Sequence, residues 1–129
     1  MTQPILYSII ESPAHPKMSG LYRQLGFEEI KFTSQRKAIA ALKKTPPDAI
    51  VAEFFYGYGN NYAGVNLSNL DTLLASLQRY APQARVIVLV SKAELEYLEK
   101  LKKRFTLHAV LVHPVTDDAM LSALDTSIR

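Results

Sequence analysis

The residues of this chain best placed for chemistry are carboxylates and histidines that follow apolar runs. Pro47-Asp48-Ala49-Ile50-Val51-Ala52-Glu53 is an apolar run that closes on an acid. A carboxylate at that point can accept hydrogen bonds, hold a cation or act as a nucleophile. Glu11 stands just past a second run, Ile5–Ile10, and His113 just past a third, Ala109–Val112. An imidazole beside a carboxylate titrates near neutrality, so His113 either pairs with Glu53 across a sheet edge or stands in its turn without a special partner. His15 and His108 fall in separate loops, and three scattered histidines lack the spacing of zinc ligands. Cysteine is absent, which excludes disulfides, thiolate metal sites and cysteine nucleophiles. Ser12-Pro13-Ala14-His15-Pro16 follows the first run without a glycine-rich phosphate loop and offers few free backbone donors. No metal and no cofactor is expected.

The elements that must position these groups alternate between β-branched runs and amphipathic stretches, the pattern of a parallel sheet covered by helices on both faces. Strands are expected at Ile5–Ile10, Glu29–Thr33, Ala49–Phe54, Arg85–Val90 and Ala109–Val112. Between the first two, Met18, Leu21, Tyr22 and Leu25 recur at helical spacing, and Gly26 can cap the helix that carries them. Ser34 can cap a second helix with Ala38, Ile39, Ala41 and Leu42 inward, stopped by Pro46 and Pro47. Ser68-Asn69-Leu70-Asp71 fits a capping box ahead of Leu73, Leu74 and Leu77, and Ser91-Lys92-Ala93-Glu94 fits another ahead of Leu95, Leu98, Leu101 and Phe105. The last helix opens at Thr116 or Asp117, with Met120, Leu121, Leu124 and Ile128 inward. Five βα units in one unbroken chain, 1–129, give a single flavodoxin-like doubly wound α/β domain, with strand order 2-1-3-4-5.

Local spacing then resembles the receiver domains of response regulators. The resemblance rests on Gly26-Phe27 before strand two, Pro47-Asp48 before strand three, Val90-Ser91 closing strand four and His113-Pro114 closing strand five. It implies a site at the carboxyl ends of strands one, three and five, and places Glu53 at the position of the phosphoacceptor aspartate. Ile9 and Ile10 stand where the resemblance expects the metal-binding acid pair, with Glu11 one residue further on. His113 stands at the position of the phosphate-contacting lysine, and Val90 and Val110 at those of the two switch residues. Magnesium wants several oxygen ligands, usually including carboxylates, so the resemblance implies a receiver that has lost its phosphoryl chemistry. Glu53 is then either a fixed charge in place of a phosphoaspartate or a polar residue tolerated at the solvent end of a strand. The second reading is favoured, because Val90 and Val110 cannot relay a charge to a two-state element.

Function is therefore expected on surfaces. Tyr56, Tyr58 and Tyr62 cluster in a segment that follows strand three, and tyrosines are enriched at interfaces; packing over an edge of the core explains them equally well. The resemblance adds helix four, strand five and helix five as a dimer face. Composition agrees with a soluble, cytoplasmic protein, since 129 residues with 48% hydrophobic content suit a compact domain and no run approaches the ~20 residues of a membrane span. The net charge of +3 gives little drive toward nucleic acid. Lys100-Leu101-Lys102-Lys103-Arg104 reads as a solvated helix terminus complementing the helix dipole, with a patch for an acidic partner as its alternative. The sequence thus points to a non-enzymatic, phosphorylation-independent signalling module that docks on a protein partner or on itself. A small-molecule-binding domain using the same sheet edge is the alternative.

Overall fold

The computed structural model describes residues 3–56 and 68–128. Strand β1 (Ile5–Ile9) leads through α1 (Ser19–Gln24) to β2 (Glu28–Phe32), and α2 (Gln35–Ala41) leads to β3 (Ala49–Glu53). Helix α3 (Asp71–Tyr80), β4 (Arg85–Val90), α4 (Leu95–Arg104), β5 (Ala109–Val112) and α5 (Asp117–Ile128) complete the order. The sheet is parallel, in the order β2-β1-β3-β4-β5. Fold class and strand order are those expected from the alternation of apolar runs.

Side chains alternate across each strand, so the sheet divides the core in two. Tyr7, Ile9, Ile50, Ala52, Val86, Val88 and Val90 pack with α2, α3 and α4, and Leu6, Val51, Ile87 and Leu89 pack with α1 and α5. All five residues of β3 are buried, as a strand covered on both faces requires. Ser8 is the polar residue of buried β1, and its hydroxyl donates to the Glu29 carboxylate on β2 at 2.5 Å. The Tyr7 hydroxyl donates to the Thr45 carbonyl, and burial pushes its pKa up to about 12.

Helix ends follow their residues with two exceptions. Gly26 takes φ +89° just past α1, a conformation that favours glycine. Ser34 accepts from the Lys37 amide at 3.2 Å and Thr116 from the Ala119 amide at 3.1 Å, each satisfying a first-turn donor. At Ser68 the box is half made: its amide and hydroxyl donate to Asp71 at 2.6 and 2.9 Å, while its oxygen accepts from Leu70 instead of Asp71. The box expected at Ser91 does not form. Glu94, which would have to reach back to Ser91, instead accepts from the Tyr56 amide at 3.3 Å. The chain makes a 3-10 turn over Lys92–Glu94 and delivers Leu95 outward, 36% exposed. Leu121 also faces out, 38% exposed, while Met120 and Leu124 are buried; the side chain of Ile128 lies outside the described residues.

Ile50 lies at the centre of the sheet, fully buried under α2 and α3. Ile50→Ala is expected to lower stability by about 2–5 kcal/mol, whereas Val112→Ala at the exposed edge changes it by less than about 1 kcal/mol. Urea unfolding midpoints at constant slope measure both.

Candidate functional site

The carboxyl ends of β1 and β3 lie side by side, because the two strands pair in register from Leu6 and Ala49 to Ile9 and Ala52. Past Ile9 the chain stays in line for one residue, the Ile10 amide donating to the Phe32 carbonyl at 2.8 Å. It then turns across the end of β3. A carbonyl-closed turn from Ser12 to His15, at 3.2 Å, brings the turn residues down onto Glu53.

Glu53 is buried, 1% exposed, and its carboxylate is enclosed by donors. One oxygen accepts from the Glu11 amide at 2.8 Å and the Ser12 amide at 3.1 Å, and the other accepts from the Ser12 hydroxyl. His15 places Nδ1 3.4 Å from the first oxygen, with its own side chain equally buried. Two successive amides aimed at one oxygen form an anion-binding nest, and here the anion belongs to the chain itself. Burial alone would raise the Glu53 carboxyl, but the His15 imidazole beside it and the hydrogen bonds from Ser12 and Glu11 outweigh it and hold the pKa below the ordinary value.

Two sequence expectations change here, and one alternative left open is decided. Glu53 does not stand at a solvent end of its strand, since the β1–α1 turn covers it. Its histidine is His15, and no contact among the described residues joins Glu53 to His113, which is half-buried after β5 with its amide on the Val90 carbonyl at 3.0 Å. The turn also supplies more backbone donors than its prolines suggested, because Glu11 and Ser12 precede them. The signal available in sequence was strand order: with β1 beside β3, a short Pro-restricted turn after β1 has to cross the end of β3.

Glu11 is engaged away from this carboxylate, accepting from Gln35 and Asn69 at 3.0 Å each. Asn69 was missed in sequence. Its side chain donates to the Glu53 carbonyl at 2.7 Å and accepts from the Phe55 amide at 2.7 Å, its own amide donates to the Phe55 carbonyl at 3.2 Å, and Tyr56 bridges Ser68 beside it. Ile9 and Val90 are fully buried in the core, Ile10 is half-buried, and Val110 packs half-buried against the α2–α4 side. Tyr56 stacks on Tyr97 with ring centroids 4.0 Å apart, whereas Tyr58 and Tyr62 lie outside the described residues. No group of three or more acidic or histidine side chains among the described residues is arranged to hold a metal.

No protein-family model and no curated protein sequence matches the chain. Solved structures do. The chemotaxis protein CheY4 of Vibrio cholerae superposes with a TM-score of 0.72 at 16% identity, covering 98% of this chain and 99% of that one. The signal receiver domain of a modulated diguanylate cyclase from Desulfovibrio desulfuricans gives 0.72 at 18% identity, covering 98% and 94%. A response regulator receiver domain from Clostridium thermocellum gives 0.70 at 17% identity, covering 97% and 94%. The fold is that of receiver domains. In a receiver fold the loops at the carboxyl ends of the strands form the crevice where sites are built, and Glu53 and its donors lie in that crevice.

Because the folded state lowers the Glu53 pKa, its contribution to stability is present above the unfolded carboxyl value and lost as pH falls through the folded one. The unfolding midpoint is expected to drop as pH falls below about 5, with Glu53→Gln removing part of that slope. At pH 7 Glu53→Gln costs about 1–3 kcal/mol, since its amide group meets donors where the carboxylate accepted. Urea titrations of both proteins between pH 7 and pH 3 measure the two effects.

Proposed function

We propose that this chain is a receiver-like interaction module that works without phosphorylation. The observation carrying the proposal is the enclosure of Glu53: its carboxylate already accepts from the Glu11 and Ser12 amides and the Ser12 hydroxyl, with the His15 imidazole packed 3.4 Å away. A phosphoryl donor would have to break these bonds to reach it. The surrounding residues support the same reading. Ile9 and Ile10 occupy the positions of the metal-binding acids, His113 that of the lysine, and Val90 and Val110 those of the switch residues. Without a metal to neutralise charge, phosphoryl transfer to a carboxylate lacks its main electrostatic support. Glu53 then acts as a fixed internal anion that holds the β1–α1 turn in one conformation.

Binding falls to the surfaces, to a protein partner or a second copy. Leu95, Val112 and Leu121 are exposed on α4, β5 and α5, a contiguous row of elements able to bury apolar area on association. Tyr56, 41% exposed and stiffened by its stack on Tyr97, offers a second contact. No helix among the described residues is long and apolar enough to cross a membrane.

Acetyl phosphate, or beryllofluoride, with magnesium is expected to produce neither a phospho-adduct by mass spectrometry nor saturable NMR shifts at Glu53, Ser12 and His15; either signal would overturn the proposal. Where the chain self-associates in sedimentation, Val112→Glu with Leu121→Glu is expected to return it to monomer.

A further inference from the structure

The helix dipole does not account for the basic residues at the opposite edge of the sheet. In a parallel sheet α2, α3 and α4 all end at the edge where the strands begin. Their last residues and turns, 43–48, 79–85 and 102–108, carry Lys43, Lys44, Arg79, Arg85, Lys102, Lys103 and Arg104 with Asp48 as the one acid inside them, while Asp71 and Glu99 on α3 and α4 pair with Arg104 and Lys102. Asp48 spends its carboxylate on the Ile5 amide at 2.7 Å. Three helix ends supply roughly half a negative charge each, about a quarter of what these turns' net +6 would neutralise. Since the whole chain is +3, everything outside these turns is net −3. The charge is concentrated on one edge.

Lys43, Arg79 and Arg104 form one surface. Tyr80 carries Lys43 at 5.7 Å and Arg79 at 5.4 Å from its ring centre, joining the ends of α2 and α3. Arg79 and Arg104 line one cleft, joining α3 to α4, where Arg104 also pairs with Asp71 at 3.0 Å. Beside them, between the end of α3 and the turn after α4, lies a notch of about 170 Å³, walled by Leu74, Leu77, Ala84, Val86 and Phe105, with Gln78 and Thr106 among its polar lining. An apolar cavity of about 150 Å³ is enough to hold a benzene ring. The notch therefore has room for one bulky apolar side chain.

We infer that this edge docks an acidic peptide segment of a protein partner, with one Phe or Leu side chain seated in the notch and flanking carboxylates on Arg79, Lys103 and their neighbours. Charge complementarity selects the acidic flanks, and the notch selects the anchor. A nucleic-acid backbone makes no use of a recess with apolar walls, and a flat anionic bilayer does not enter one. The edge lies across the sheet from Glu53, so the inference stands apart from phosphoryl chemistry.

The test uses the full chain and a short fluorescein-labelled peptide with Asp and Glu around a central Phe-Leu pair, read by anisotropy and by NMR shifts. Saturable binding with shifts at Ala81, Ala84 and Phe105 is expected, weakening as salt rises. Arg79→Glu with Lys103→Glu, and separately Gln78→Trp to cover the notch, each weaken binding about tenfold or more; these exposed positions leave the thermal melt near that of the parent. No binding, equal binding of a peptide with Ser-Ser at its centre, insensitivity to either variant, or binding of single-stranded DNA or phosphatidylserine vesicles in place of the peptide would each overturn the inference.

Discussion

The structure depends on how one buried negative charge is satisfied. A carboxylate taken out of water costs several kcal/mol unless donors replace the solvent, and Glu53 ends a strand whose five residues are all buried. The chain answers with its own turn: Glu11 and Ser12 give amides, Ser12 a hydroxyl and His15 an imidazole. That requirement fixes where the chain goes after β1. It also frees Glu11 to face the other way, where Gln35 and Asn69 hold it, so the entrances to α2 and α3 are tied to the same turn.

Most of the architecture was legible because burial on both faces leaves a strong mark. Arg85–Val90 is apolar from Val86 onward and buried there, and is found at those bounds; the half-buried edge strand Ala109–Val112 is also found at its expected bounds. The strand read as Glu29–Thr33 lies one residue earlier, since edge strand β2 carries charges that blur its ends. Competition between hydrogen-bond acceptors was less legible. Ser91 and Glu94 have the spacing of a capping box, but a carboxylate can serve only the donors within reach, and the Tyr56 amide took this one. That contact is 38 residues away in sequence, and local pattern holds no trace of it.

The donors around Glu53 were hidden for a related reason. Two of them are backbone amides, which every non-proline residue has, so their identity says nothing. The third-strand acid was visible as an acid; its burial was not, because that depends on a turn from another element. Likeness to receiver structures at 16–18% identity fits this division. A doubly wound sheet can host different sites, because its packing rests on apolar alternation along the strands.

Asn69 has a consequence for how this chain can vary. Its side chain and backbone clamp Phe55, and Tyr56 bridges Ser68, so the segment between residues 56 and 68 enters and leaves through a neck closed by hydrogen bonds. Once a neck is closed, lengthening what hangs from it is cheap, roughly 0.6 kcal/mol for each doubling. A change of length there costs little at the junction between β3 and α3 that Asn69 closes.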